Sequence, residues 1–208
     1  MENILYIVFG WLLGLLSPPI ASIIEKHYRK NELRKALYSD LKNLIVRLAS
    51  SCQAIEVHRG TRNKESLVWI LSIYEKYRAD TPQTIITNIN KLLQATDEDF
   101  ENLNSFMKGE DGIGLNVKPF SMPFLESVLG DLFLFNVEFQ RRILEVRSQI
   151  SILNQDIDLT MSYHRMTFNL SSSDKNKDII LQNINSGHIE IANRCKSIAN
   201  KIIVILES

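Results

Sequence analysis

The chain's 208 residues include 24 basic and 24 acidic side chains, a formal net charge of zero, with 45% hydrophobic residues. That balance excludes a disordered chain and argues against broad nucleic-acid binding, which draws on a large positive excess. The two cysteines, Cys52 and Cys195, belong to no CxxC or Cys/His cluster, and they read as buried reduced thiols rather than a disulfide.

The chain begins with the run ILYIVFGWLLGLLSPPIASII, residues 4–24, which carries no charged side chain. Crossing a hydrocarbon core about 30 Å thick takes roughly 20 helical residues. The run is followed by Lys26, Arg29, Lys30, Arg34 and Lys35, and only Met1, Glu2 and Asn3 precede it. A cleavable signal peptide needs its basic residues before the apolar core, so residues 1–24 are expected to form a transmembrane anchor. By the positive-inside bias, the juxtamembrane basic residues then place 25–208 in the cytoplasm and the N-terminus outside, at a cell (inner) membrane. The same five cations also suit contact with anionic lipid headgroups.

Four residues give this segment more than length. Gly10 and Gly14 form a GxxxG pair that lets a second backbone approach closely, the geometry of helix association in lipid. Pro18 and Pro19 remove two backbone donors and predict a kink or restart, which also shortens the straight span.

Everything downstream reads helical. Leu33, Leu37, Leu41, Leu44, Leu48, Cys52 and Ile55 recur in steps of three and four, forming one stripe that continues directly from the anchor and ends at Gly60-Thr61. A second helix is expected over 64–78, with Leu67, Ile70, Leu71 and Tyr74 on one side. Thr81-Pro82 opens a third, whose apolar face is Ile85, Ile86, Ile89, Leu92 and Leu93. Thr96 followed by Asp97, Glu98 and Asp99 opens a fourth, through Phe100, Leu103 and Phe106. Residues 109–119 contain three glycines and a proline and read as a loop.

The longest helix is expected from Ser121 and Pro123 to about residue 168. Its seam includes Ile143, Val146, Ile150, Leu153 and Ile157, extended by Phe139, Thr160 and His164 in alternating steps of four and three. After the break at 171–174, a last helix carries Ile180, Ile184, Gly187, Ile191, Arg194, Ile198, Ile202 and Ile205. The short connector predicts an antiparallel hairpin. That register places His188 beside Asp156 and keeps His164 away from His188. The apolar end, IIVIL, requires cover from the bundle, a partner subunit or a membrane surface.

No phosphate-binding, zinc-binding or nucleophile-elbow motif is present in the sequence. Catalytic, cofactor-binding and metal sites are therefore expected to be none. The expected fold is all-α: a single N-terminal transmembrane helix (1–24), then a cytoplasmic antiparallel helical bundle (25–208) of five or six helices ending in a long C-terminal hairpin. The expected function is a membrane-anchored, non-enzymatic interaction or scaffold module. Its partners would be the lipid bilayer and either further copies of the chain (a homo-oligomer) or a cytoplasmic protein, with no nucleic acid. A membrane effector or sensor of a bacterial stress or defence system is the alternative, its membrane helices oligomerising to perturb the bilayer. A membrane-bound enzyme with an unfamiliar helical site is the third reading.

Overall fold

The computed structural model describes the backbone of residues 2–77, 83–109, 115–168 and 174–208. It describes the side chains of the same ranges apart from residues 2–10, 12, 13, 15–17, 174 and 175. Among the described residues the chain is all-helical, with no strand. In order come α1 (Glu2–Arg59), α2 (Lys64–Tyr77), α3 (Gln83–Gln94), α4 (Asp97–Met107), α5 (Pro123–Ser127), a 3-10 turn (Leu129–Leu134), α6 (Val137–Met166) and α7 (Asp174–Glu207).

The expected membrane anchor is corrected. Among the described residues, no helix is long and apolar enough to cross a membrane. Composition supplies the physical reason: from Glu25 onward the described part of α1 carries Lys26, Arg29, Lys30, Glu32, Arg34 and Lys35 in close succession, too many charges for an apolar span. The apolar run is instead the first part of a 58-residue helix that includes Pro18 and Pro19. The helix continues through both prolines, so the expected restart is absent. No element boundary falls at 24, where the anchor and bundle were expected to divide.

The second half of α1 is the central post of the bundle. Leu37, Leu41, Leu44, Ile45, Leu48, Cys52 and Ile55 are all buried on it. This is the stripe visible in the sequence, widened by Ile45 into the broad apolar face that a helix covered on several sides needs. The post packs against α7, α2, α5 and α4. It ends in two turn bonds: Gly60 N–H donates to Val57 C=O at 3.0 Å, and Thr61 N–H donates to Glu56 C=O at 2.9 Å. That pairing closes a Schellman cap, with Gly60 at φ 66°, a left-handed conformation that a Cβ would strain.

The expected long helix from 121 divides into three pieces. Pro123 starts the short α5, the 3-10 turn follows, and Asn136 caps α6 by accepting a bond from Phe139 N–H at 2.8 Å. An Asn cap followed by Val, Glu and Phe is a helix start in its own right, and it overrides apolar continuity. Thr81-Pro82, the expected start of the third helix, lies outside the described residues, as does 110–114 of the expected loop. The fourth helix starts at its expected Thr96 cap, whose hydroxyl accepts from Asp99 N–H at 3.1 Å. Its inner face differs: Asn104 is buried and Phe106 is 87% exposed.

α6 and α7 form the expected antiparallel hairpin and pack along their length. Its register is set by Glu145 with Lys201 and by Asp156 with Arg194 at 2.6 Å. Gly187 meets Thr160, where an added Cβ would collide with the Thr160 hydroxyl. Ile202 and Ile205 of the apolar end are buried within the chain, with Tyr38 OH donating to Ile205 C=O at 3.4 Å. The bundle therefore covers the inner face of that end, while Val204 remains 55% exposed.

Candidate functional site

Among the described residues, the longest uncovered stretch lies in the first half of α1. Residues 18–29 are exposed without interruption. Trp11 is 67% exposed, Ile23 67%, Ile24 63% and Tyr28 70%, and Ile20 is half exposed. Ile20, Ile24 and Tyr28 are spaced four apart and stack along one helix face, with Ile23 beside them. Isolated exposed apolar residues are ordinary on a protein surface; a contiguous set on one uncovered helix face is a candidate interaction site.

The association residues of the sequence reading lie on this segment. Gly14 has open space around it, since an added Cβ would meet nothing within 4 Å. Pro18 and Pro19 are exposed. The surroundings of Gly10 lie outside the described residues.

The basic residues at its base divide by role. Arg29 grips Asp131 with both carboxylate oxygens at 2.8 Å, tying α1 to the 3-10 turn. Arg34 lays its guanidinium over Tyr38 and Phe139, at 5.7 and 5.6 Å from the ring centroids. Lys35 pairs with Glu32 at 2.9 Å. Lys26 and Lys30 have no ion pair or hydrogen bond among the described residues. Thus two members of the cluster are structural clasps that fix where the free segment leaves the bundle, which the sequence reading did not anticipate.

The seam residues are spent inside the chain. Ile143, Val146, Ile150, Leu153 and Ile157 are buried in the core. The seam is thereby a core face of the hairpin and offers no surface to a partner.

Two buried polar clusters went unread in the sequence. The Glu56 carboxylate accepts from Lys196 Nζ at 2.6 Å, from the Ser66 hydroxyl, and from Cys52 Sγ at 3.7 Å. Its oxygens are satisfied, which makes it a brace between α1, α2 and α7. Burial lowers and the Glu56 bond raises the Lys196 ammonium, with a net upward result. Arg62, only 4% exposed, donates through Nε to Asn104 Oδ1 at 3.0 Å, and Asn104 Nδ2 returns a bond to Arg62 C=O at 2.8 Å. Burial pulls the Arg62 guanidinium below its usual range. The available signal was a charged residue two positions after the helix-ending Gly60, which is weak.

Both cysteines are free and buried. Burial pushes the Cys195 thiol up to about 12 and the Cys52 thiol higher still, so neither presents a reactive thiolate.

The histidine placement is also corrected. Asp156 is engaged by Arg194 rather than His188. His188 instead meets His58 edge to face at 6.2 Å and lines the same small pocket as His164. Burial first, then the His58, Arg59 and His164 charges, lower His188 to about 4. Among the described residues no group of three or more His, Cys, Asp or Glu side chains is placed to hold a metal ion. No protein-family model, curated protein or solved structure matches the chain.

Proposed function

We propose that this chain is a non-enzymatic helical interaction module that self-associates through the uncovered first half of α1. The carrying observation is the exposed face of Ile20, Ile23, Ile24 and Tyr28 on a helix that runs beyond its bundle. Burying one such side chain stabilises a complex by about 1.5–3 kcal/mol, and a self-pairing surface gains that from both copies. Gly14, with open space around it, lets a second helix approach closely. The clasps at Arg29 and Arg34 hold each bundle at a fixed distance from the paired segment, so assembly would display several bundles together.

Single cysteine variants test this in the full chain, because both native thiols are buried. Gly14→Cys and Ile24→Cys are oxidised mildly and read by non-reducing electrophoresis. Parallel pairing links position 24 to its copy, and pairing that crosses near the middle of the segment links position 14. A disulfide dimer in either variant supports the proposal; monomer in both contradicts it.

A further inference from the structure

A groove of about 800 Å³ runs along the covered half of α1, facing residues 115–120 and Tyr77. Among the described residues its lining includes three cations, Lys42, Arg47 and Lys118, and no carboxylate. The whole chain is charge-balanced, so this concentration of one sign is local.

Two further features distinguish the groove from an ordinary solvated face. Arg47 is held in place: its guanidinium lies over the Phe120 ring at 5.4 Å and donates to Pro119 C=O at 3.4 Å. Lys42 and Lys118, by contrast, have no ion pair or hydrogen bond among the described residues, nor do the amides of Asn43 and Asn116. One fixed guanidinium, two free ammonium groups and two free amides thus converge on one concave space. Its volume falls in the range of about 300–1,000 Å³ usual for small-molecule sites.

We propose that this groove binds a phosphate-bearing anion of nucleotide size. Lys42 and Lys118 supply point charges from opposite walls, Arg47 a planar fork, and Asn43 and Asn116 neutral donors to the same oxygens. The groove lies on the bundle half of α1, so this site is independent of self-association through the other half.

Calorimetric titration of the full chain at low salt with tripolyphosphate, and separately with ATP, tests the site. Binding of either probe is expected, weakened at least tenfold in Lys42→Ala/Lys118→Ala and retained in Lys42→Arg/Lys118→Arg. Lys26→Ala/Lys30→Ala, which removes two free cations elsewhere, is expected to leave it unchanged. Equal affinity for the two probes assigns recognition to phosphate alone, and tighter binding of ATP adds a contact to the base; both support the site. Absence of binding by both probes overturns it, as does equal weakening in the two alanine pairs. Circular dichroism of each variant separates loss of binding from loss of fold.

Discussion

At the scale of single residues, the buried polar groups govern how stability responds to conditions. His188 is 4% exposed and its folded value is lowered to about 4 from an ordinary 6.5. The unfolded chain therefore takes up a proton below pH 6.5 that the folded chain refuses until about pH 4. Stability contributed by the neutral ring is fully present above pH 6.5 and declines as pH falls through that window, by on the order of 2–3 kcal/mol. Urea denaturation of wild type and His188→Gln at pH 7 and pH 4.5 checks this: the variant is expected to lose much less stability between the two. The Glu56 brace has a separate signature. Glu56→Ala leaves the Lys196 ammonium and the Ser66 hydroxyl without their acceptor, at a cost of about 2–4 kcal/mol, allowing for the partial exposure of Lys196. Glu56→Gln keeps an acceptor and is expected to lose less in the same denaturation.

At the scale of elements, the α6–α7 hairpin rests on a close approach that tolerates no extra atoms. Gly187→Ala drives a methyl group against the Thr160 hydroxyl, a strain of about 1–3 kcal/mol. Thr160→Ala removes the obstructing oxygen, so the double variant is expected to be more stable than the sum of the two single losses implies; a double-mutant cycle reads the coupling.

The same hairpin shows what was legible in the sequence. The steps of four and three from Phe139 to Thr160 report a buried face directly, because a 3.6-residue period aligns those positions whatever they pack against. Leu33 to Ile55 is legible for the same reason, and so is the stop at Gly60. Register was not legible. Which α7 residue faces Asp156 depends on side-chain volumes across two helices, and the pairing of His188 was misplaced accordingly. The start of α6 was hidden because Pro123 and Asn136 both signal helix starts, and sequence alone does not show that a 3-10 turn lies between them. Of the candidate site, the apolar run and its glycines were visible, but their setting was misread. A charge-free run reads alike whether it is a separate span or the projecting end of a longer helix. The groove cations were invisible because Lys118 is distant in sequence from Lys42 and Arg47, and only the fold brings them together.

At the scale of the whole molecule, α1 unites two regions of opposite character. One half is the post around which the bundle packs, and the other exposes Ile20, Ile23 and Ile24 to solvent. The Arg29–Asp131 pair sits at the boundary. Arg29→Ala is expected to speed hydrogen exchange across residues 24–34, with a stability loss of less than about 1 kcal/mol because the pair is largely exposed. The projecting half is what makes self-association the central claim, and the mass of the full chain in solution tests it most directly. Sedimentation equilibrium across a wide concentration range is expected to give a multiple of the 23.9 kDa chain mass, reduced to the single-chain mass by Ile20→Glu/Ile24→Glu. A wild-type chain that sediments as a monomer at every concentration would contradict the account.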